Sequence, residues 1–389
     1  MDFELWYLIL VPLLFAAGWF ARSFDIKEKQ TIADEKDTLY KGVDLLLSNK
    51  QDQAIDAFIN LVKLDPDTVE MHFSLAGLFR RRGEFDRAIK IHNVLVNRED
   101  LPKKIRSRAL YELGEDYLKA GLWDRAEESF LKLSDTSESY KTIARKELLH
   151  IYETEKEWQK AIDEANIIQR QSGEDQSTRI AQLYCELTQQ NLYFKNFKGA
   201  AEALEKALKV DPNNKRALIT KGKMLKAKGD IDGALATWKQ VGQISPAYGT
   251  LVVDQIASLL LEAGRKEEAV QYLEDLFKDG STTDEVDTAG ILLGKAGNSK
   301  EAIALIQEHL KTQPTLVAFY RLIDLRLANE PENESLKQLH GLLKNMLSKA
   351  VRYKCTKCGF ATRKFLWRCP GCHQWETFPP VRQENLSGR

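Results

Sequence analysis

The 389-residue sequence lacks the short motifs that mark common catalytic centres. It contains no G-x-S-x-G nucleophile turn, no glycine-rich phosphate loop and no H-E-x-x-H zinc motif. These absences disfavour a serine hydrolase, a nucleotide-dependent enzyme and a zinc protease, so we expect a protein that is not an enzyme. Net charge is also absent, because 57 basic side chains balance 57 acidic ones. Composition therefore says little about partners, and its 43% hydrophobic share is that of ordinary globular proteins.

Cysteine is scarce, and four of the five cysteines stand in two C-x-x-C pairs near the C-terminus. Ten residues separate the pairs, which are formed by Cys355, Cys358, Cys369 and Cys372. A tight turn in each pair brings two sulfur atoms to one ion, and Gly359 and Gly371 are suitable turn residues. Four sulfurs make a closed tetrahedral site for one structural metal ion, iron or zinc. Two disulfides are the alternative, which the odd fifth cysteine and the lack of a secretory framework disfavour.

An uncharged stretch over residues 5–21 lies near the N-terminus and has aromatic residues towards both ends. As a helix it would span about 26 Å, close to the hydrocarbon thickness of a bilayer. We expect residues 1–21 to be a transmembrane anchor, followed by a charged juxtamembrane linker over residues 22–36. A cleaved signal peptide is the alternative, but such peptides begin with basic residues, whereas Asp2 and Glu4 stand here. The positive charges after the stretch predict a single-pass protein with its N-terminus outside and its bulk cytoplasmic.

A pattern of small residues repeats through the intervening chain at intervals of 33 to 39 residues. Its anchors are Ala54, Ala88, Ala126, Ala161, Ala200, Ala234, Ala269 and Ala302. Twelve residues before several anchors stands a second small residue: Gly42, Ala76, Gly114, Gly222, Ala257 and Gly290. Twelve residues after several stands a proline: Pro66, Pro212, Pro246 and Pro314. This is the tetratricopeptide pattern, in which the two helices of each repeat, A and B, cross closely at small side chains.

The pattern predicts an all-α superhelical solenoid over residues 37–348, with about eight repeats and a ninth helical pair at about residues 316–347. Bulky side chains such as Phe130 and Trp238 are expected to fill the grooves beside the small residues. Two polar insertions, at residues 97–104 and 171–178, are expected to be solvated loops. The alternative is that they bend the superhelix or divide it into segments. The concave face of such an array, lined by the A helices, binds proteins or peptides.

The histidines and the fifth cysteine do not gather into a site. The histidines are scattered and are expected on helix surfaces or at packing edges: His72, His92, His150, His309, His340 and His373. His373 adjoins Cys372, but four sulfurs already complete a metal site. Cys185 stands in a helical pattern and is expected to be a small buried residue.

The segment after residue 350 is basic, with eight lysines and arginines against two glutamates. We assign residues 351–380 to the metal-binding domain and residues 381–389 to a tail. A nucleic-acid-binding zinc ribbon is one interpretation of this basic, aromatic segment, although a membrane anchor disfavours nucleic acid as a partner. We expect the aromatic side chains to pack around the metal instead, because a domain of under about 40 residues has little other core.

The metal-binding domain is expected to dock on the last repeats and not to move freely. Only residues 348–352 connect it to the helical run at residues 336–347, and this connection contains no glycine-rich linker. An open solenoid end leaves apolar surface that needs a cap. Three aromatic side chains are available to cover it: Phe360, Phe365 and Trp367.

The order of anchor, repeats and paired cysteines resembles that of the lipopolysaccharide assembly protein B (LapB) family of Gram-negative inner membranes. The similarity extends over the whole chain, and its distinctive strings are GVDLLLSN at residues 42–49, WQKAID at 158–163 and YKCTKCGF at 353–360. C-x-x-C-G followed by C-P-x-C also resembles the two metal-binding knuckles of rubredoxin. The gap between the knuckles is much shorter here, which puts rubredoxin's electron transfer in doubt while leaving the four-sulfur site intact.

The resemblance implies an adaptor. Members of the family are bitopic inner-membrane proteins, periplasmic at the N-terminus, that restrain lipopolysaccharide synthesis. They promote degradation of LpxC, the deacetylase that commits sugar nucleotide to lipid A, and they work with the membrane AAA protease FtsH and other lipopolysaccharide-assembly membrane proteins. The metal ligands implied are the four paired cysteines, and no partner-binding residue is implied. A rubredoxin-like electron carrier on a repeat scaffold is the alternative function.

Overall fold

The computed structural model describes residues 69–278, 283–349 and 353–379, together with the isolated positions Arg22, Tyr40, Asp44, Leu45 and Gln53. The predicted anchor, nearly all of the juxtamembrane linker and the tail lie outside the described residues. Within the part that is described, no helix is both long enough and apolar enough to span a bilayer. The described chain is helical through the repeats and ends in two short strands.

On either side of residue 174, the described helices stack as successive helical pairs. Their bounds before residue 174 are α1 Val69–Arg81, α2 Phe85–Val96, α3 Lys103–Lys119, α4 Trp123–Thr136, α5 Lys141–Glu155 and α6 Trp158–Ser172. Those after it are α7 Ser177–Tyr193, α8 Phe197–Val210, α9 Lys215–Ala227, α10 Ile231–Ile244, α11 Pro246–Gly249, α12 Val253–Glu262, α13 Lys266–Lys278, α14 Thr283–Lys295, α15 Ser299–Thr312, α16 Leu316–Asn329 and α17 Glu334–Lys349. Besides sequential contacts, A helices touch the next A helix, as α7 touches α9 and α14 touches α16. This all-α stacking is that of a tetratricopeptide solenoid.

The chain divides into two compact units, Met1–Gly173 and Glu174–Arg389. The division falls within the second predicted insertion, so the interpretation that this insertion separates segments is confirmed. Only half of the insertion is a loop, because α6 continues to Ser172 and α7 begins at Ser177, which leaves residues 173–176 between them. Gly173 ends α6 in the left-handed conformation with φ 70°.

The first insertion, at residues 97–104, is not wholly solvated, which corrects the expectation. Leu101 is only 3% exposed and packs in a cluster with Val69, Phe73 and Leu95. Pro102 then stands immediately before the first residue of α3. Burial of one leucine ties this connection to the helices on either side of it, so it is a packed link within the first unit.

The small residues of the repeat pattern lie where the helices cross. The seven described anchor alanines, from Ala88 to Ala302, are at most 1% exposed. A Cβ atom on Gly222 of α9 would lie 2.2 Å from Trp238 Nε1, and one on Gly114 of α3 would lie 2.6 Å from Phe130 Cζ. The predicted pairing of small residues with Phe130 and Trp238 is confirmed, because the large rings occupy the space that a methyl group would need.

Left-handed backbone conformations reverse the chain between the two helices of a repeat. Gly229 has φ 82° and stands between α9 and α10. At the corresponding position between α7 and α8 stands Lys195, with φ 58°. A side chain in this region costs about 1 kcal/mol or more relative to glycine, so the lysine is held there by the packing of its flanking helices.

Proline ends helices as predicted, and in one place it also begins one. Pro212 and Pro314 follow the ends of α8 and α15. Pro246 follows α10 and is the first residue of the short helix α11, which the repeat pattern did not predict. Proline suits this position because it needs no hydrogen bond at the first turn of a helix. The short helix carries Tyr248, which contacts the metal-binding domain.

Three histidines are buried, so the expectation that all of them lie at surfaces or packing edges is wrong. His72 is 1% exposed, His92 0% and His309 7%. His92 Nδ1 lies 2.6 Å from Asp116 Oδ2, and Asp116 is itself fully buried. A buried imidazole is tolerated where a carboxylate is its partner, a pairing across two helices that the one-dimensional pattern does not reveal. Cys185, by contrast, is buried in α7 as predicted.

Candidate metal centre

The first cysteine pair lies in a small antiparallel hairpin. Strand β1 comprises Tyr353–Lys354 and strand β2 Ala361–Thr362, with Tyr353 opposite Thr362. The N–H of Cys355 donates to the carbonyl of Phe360 over 2.8 Å, and the N–H of Gly359 donates to the carbonyl of Cys355 over 3.0 Å. The turn thereby curls back so that both sulfur atoms lie on its inner side.

The second pair repeats this backbone pattern. The N–H of Cys369 donates to the carbonyl of Gln374, and the N–H of His373 donates to the carbonyl of Cys369, each over 2.9 Å. The residue after the second cysteine is left-handed in both turns, with φ 76° at Gly359 and 56° at His373. His373 therefore occupies the turn position that glycine holds in the first knuckle, which accounts for its place beside Cys372 without a ligand role.

The structure brings the four predicted cysteines together. All four Sγ atoms lie within 4.8 Å of one another. Cys355 Sγ lies 3.8 Å from Cys372 Sγ, and Cys358 Sγ lies 3.5 Å from Cys369 Sγ. A tetrahedral ion with metal–sulfur distances of about 2.3 Å needs sulfur–sulfur distances of about 3.8 Å. The cluster therefore fits one four-coordinate ion, and it forms a rubredoxin-like metal-binding site.

These separations do not suit the alternative of two disulfides. A disulfide requires a sulfur–sulfur distance of about 2.05 Å. All five cysteines, Cys185 included, are free thiols here. Donor chemistry is the same for iron and zinc, since both accept tetrahedral thiolate sulfur.

The thiols of the cluster differ in their affinity for protons. Desolvation opposes ionisation of Cys355, but hydrogen bonds from Thr377 and from the backbone of Cys358 and Lys357 outweigh it, and the pKa falls to about 6. At Cys358 the backbone N–H of Phe360 favours the thiolate, yet desolvation and hydrogen bonds to neighbouring sulfurs raise the pKa to about 12. A bound cation would favour the thiolate form of every ligand, so metal binding releases protons.

The core of the domain is built around the sulfurs. Cys355, Cys369 and Phe378 are at most 2% exposed and form one cluster, against which Tyr353 and Phe365 pack. The expectation that aromatic side chains pack around the metal site is confirmed for Phe378, Tyr353 and Phe365. Cys358 is exposed, so one edge of the site faces solvent.

Aromatic rings join the domain to the repeats. Trp367 stacks on Tyr248 of α11, with ring centroids 5.7 Å apart and an interplanar angle of 20°. Phe365 meets Tyr248 edge to face at 6.4 Å. The guanidinium of Arg216 in α9 lies over the Trp367 ring at 5.8 Å. Stacked and edge-on aromatic pairs stabilise a contact beyond the area that they bury.

Polar contacts complete this surface. Glu376 Oε1 accepts a hydrogen bond from Gln182 Nε2 of α7 over 2.8 Å. Its second oxygen, Oε2, lies 3.3 Å from Lys215 Nζ of α9. Burial and the charge of Glu376 together raise the pKa of Tyr248. We call these residues the docking interface: Gln182, Lys215, Arg216 and Tyr248 on the repeats, and Phe365, Trp367 and Glu376 on the metal-binding domain.

Docking of the domain is thus as expected, but its predicted place was wrong. The contacts lie on α7, α9 and α11 instead of the last helical pair at residues 316–347. Phe360, expected to cover the solenoid end, remains 42% exposed. The physical reason is side-chain complementarity. On these helices Glu376 pairs with the buried amide of Gln182 and with Lys215, while Trp367 packs against a tyrosine ring and a guanidinium group.

Sequence reasoning missed the repeat side of the docking interface. Gln182, Lys215 and Arg216 look like ordinary polar positions on amphipathic helices. The one available signal was Glu376, one of two acidic residues in a strongly basic segment. A lone acid in such a segment indicates a specific basic partner, although it does not say which one.

Family comparisons match both parts of the described chain. Residues 353–380 match the rubredoxin metal binding domain, and residues 41–100 and 192–246 match the tetratricopeptide repeat. A tetratricopeptide repeat protein from Parabacteroides merdae covers 72% of this chain and 100% of its own length at 16% identity, with a TM-score of 0.32.

Two relatives align over almost their whole length. Lipopolysaccharide assembly protein B of Escherichia coli (strain K12) is 35% identical over 381 residues, covering 96% of this chain and 97% of the relative. The protein of the same name from Haemophilus influenzae (strain ATCC 51907 / DSM 11121 / KW20 / Rd) is 29% identical over 396 residues, covering 97% and 98%. Together with the four-cysteine site and the stacked repeats, these alignments show that the chain belongs to the lipopolysaccharide assembly protein B family.

Proposed function

We propose that the protein is a membrane-tethered adaptor of lipopolysaccharide assembly that presents LpxC to the protease FtsH and so restrains lipopolysaccharide synthesis. In this proposal residues 1–21 anchor the chain in the bacterial inner membrane and residues 22–36 form a juxtamembrane linker. The N-terminus is periplasmic. The repeats over residues 37–348, the metal-binding domain over residues 351–380 and the tail over residues 381–389 are cytoplasmic. Other lipopolysaccharide-assembly membrane proteins are further partners, and nucleic acid is not one.

The observation that carries this proposal is the docking interface. It fixes a metal-binding domain against the A helices α7 and α9, the helices that line the concave face of a tetratricopeptide array. A client that enters this face meets repeats and metal-binding domain as one composite surface. Such a surface binds and orients a protein, and the proposal assigns it no catalytic step.

The metal would support that surface structurally. Cys355, Cys358, Cys369 and Cys372 would hold one iron or zinc ion in a closed site with no open position for a substrate. When bound, the ion cross-links the two knuckles. In so small a domain, the free energy of metal binding supplies most of the free energy of folding. Glu376 and Trp367 flank the second knuckle on either side, so its fold sets the position of both docking contacts.

A reconstituted proteolysis assay tests the adaptor role. FtsH and LpxC are combined in proteoliposomes with or without the full-length protein, and the half-life of LpxC is measured. We expect the protein to shorten that half-life severalfold. A chain that starts at Ile26 should fail to do so at native concentration, because a tether confines adaptor and protease to one surface.

A matched pair of aromatic variants tests the composite surface in the same assay. Trp367→Ala removes a ring from the docking interface, whereas Phe360→Ala removes a partly exposed ring outside it. The first should weaken delivery of LpxC with metal still bound, and the second should not. An LpxC half-life that is the same with and without the wild-type protein contradicts the adaptor proposal.

A further inference from the structure

Three aromatic side chains form an exposed patch at the turn between α7 and α8. Tyr193 is 82% exposed, Phe194 70% and Phe197 66%. The rings of Tyr193 and Phe194 meet edge to face with centroids 5.2 Å apart. Isolated exposed apolar residues are ordinary on protein surfaces, whereas three large exposed rings within five residues concentrate apolar surface at one turn, which indicates an interaction site. We call Tyr193, Phe194 and Phe197 the aromatic patch.

The aromatic patch is interleaved with positive charge. Lys195 and Lys198 stand between and beside its rings, and both are exposed. No acidic residue occurs between Glu186 and Glu202. The turn therefore combines apolar rings with two lysines and carries no acidic residue of its own, although the chain as a whole is neutral. This combination is complementary to a surface with an apolar interior and anionic headgroups.

The backbone of the turn satisfies its own hydrogen bonds. The N–H of Phe194 donates to the carbonyl of Gln190 over 3.1 Å, and the N–H of Lys195 donates to the carbonyl of Leu192 over 3.0 Å. The Asn196 side chain accepts from the N–H of Gly199 over 3.0 Å and caps α8. Because these backbone donors are already hydrogen-bonded, removing water from around the turn costs little free energy. Low desolvation cost is a requirement for entry into a membrane interface.

We propose that the aromatic patch enters the headgroup region of an anionic lipid bilayer. Tyrosine and other aromatic rings are favoured at that level, while Lys195 and Lys198 would contact lipid phosphates. The rings are displayed at a turn and not sunk in a groove, so a deformable surface accommodates all three. This proposal concerns the second unit alone and does not depend on the adaptor role.

Hydrogen exchange on the full-length protein tests the proposal. The protein is reconstituted in vesicles of phosphatidylethanolamine and phosphatidylglycerol, and separately in vesicles of phosphatidylcholine alone. We expect the amides of residues 191–198 to exchange about tenfold more slowly in the anionic vesicles. The double variant Phe194→Ser, Phe197→Ser should abolish the difference, and so should the charge reversal Lys195→Glu, Lys198→Glu, which keeps the rings.

A matched control removes two exposed apolar side chains elsewhere in the second unit. Leu342 and Met346 of α17 are 64% and 54% exposed, and Leu342→Ser with Met346→Ser should leave the protection of residues 191–198 unchanged. If the protein co-floats with both kinds of vesicle but the amides of residues 191–198 exchange at the same rate in both, the proposal is wrong. That result would not contradict membrane tethering by residues 1–21. Protection that is independent of lipid charge and rises with protein concentration assigns the patch to a second copy of the chain, and it also overturns the proposal.

Discussion

At the scale of single residues, the crossing of α9 and α10 depends on the hydrogen atom that serves as the side chain of Gly222. The Trp238 indole fills the space beside it and donates from Nε1 to the carbonyl of Ile219 over 3.1 Å. Gly222→Ala would place a methyl group 2.2 Å from that nitrogen. We expect the second unit to lose about 1–3 kcal/mol of unfolding free energy, because the ring must leave its position. Urea denaturation followed by circular dichroism measures the loss.

A second glycine is the control. A Cβ atom on Gly341, which is exposed in α17, would meet no atom within 4 Å. Gly341→Ala should stabilise the helix by about 0.5–1 kcal/mol, because alanine loses less backbone entropy than glycine. Equal destabilisation by both variants would show that the crossing at Gly222 has no special steric role.

A carboxyl group in the first unit predicts a pH effect. Burial, with a further contribution from the charge of Glu115, raises the pKa of Glu147 from 4.5 to about 6. The folded state therefore holds the proton more tightly, so this group's stabilisation is present below pH 4.5 and lost as pH rises through 6. Glu147→Gln should stabilise the protein at pH 7.5 by up to about 1 kcal/mol, after allowance for solvent screening, and not at pH 4.5.

Urea midpoints at the two pH values measure this difference. Glu128→Gln, a change at an exposed carboxylate of α4, is the control and should shift neither midpoint. A gain for Glu147→Gln that is equal at both pH values would show that the carboxylate charge is not its cause.

Residues that recur in phase could be predicted from the sequence, whereas singular contacts could not. The anchor alanines and Gly222 appear in register through the repeats, and all of the described ones lie at crossings. The His92–Asp116 pair occurs once and joins residues 24 apart on different helices. Periodicity carries information about backbone spacing, but it carries none about which polar side chains meet across a crossing.

At the scale of elements, the short helix α11 connects the repeats to the metal-binding domain through Tyr248. We expect Tyr248→Ala to loosen the domain while metal stays bound, since the ring stacks on Trp367 but contributes no ligand. Protection of residues 353–379 from hydrogen exchange should fall by about tenfold, equivalent to about 1.4 kcal/mol of docking free energy. Peptide-resolved hydrogen exchange measures this protection, and elemental analysis of the same preparation measures the metal content.

The matched control is Tyr320→Ala in α16, which removes a tyrosine that stacks on His340, outside the docking interface. Its effect on residues 353–379 should be negligible. If Tyr248→Ala released the metal as well, the domain would depend on docking for its fold, contrary to the prediction.

Element boundaries were predicted where local chemistry marks them. Gly229 stands between two helices because glycine readily adopts the left-handed conformation found there, and Pro212 follows a helix end because proline disfavours a continued helix. Helix α11 was missed because a four-residue segment that begins with proline resembles any connection between two helices. The position of the docked domain was also missed, because proximity along the chain favoured the last repeats while side-chain complementarity favoured α7, α9 and α11.

At the scale of the whole molecule, metal loss should have a local effect. Cys355→Ser or Cys369→Ser removes a buried ligand, so we expect loss of the ion and unfolding of residues 353–379. The repeats should remain folded, because their stability comes from neighbouring repeats. Elemental analysis measures the ion, and hydrogen exchange along the chain separates the two regions. Cys185→Ser, which changes a buried thiol of α7 outside the cluster, is the control for metal content and should leave it unchanged.

Stoichiometric metal in either ligand variant would contradict the four-sulfur assignment. Loss of protection throughout the second unit would instead show that the repeats rely on the docked domain. The first unit, which ends at Gly173, should be unaffected in either case.

The docking interface also implies an order of events during synthesis. Gln182 and Glu376 are 194 positions apart, so the repeats leave the ribosome long before their partner exists. Helical repeats fold through contacts between neighbouring repeats, whereas the docking interface can form only after nearly the whole chain has been synthesised. Until then Tyr248 lacks the Trp367 ring that covers it. A chain truncated before the two knuckles would leave that apolar surface accessible to chaperones and proteases. Burial of Tyr248 under Trp367 therefore distinguishes a complete chain from a truncated one.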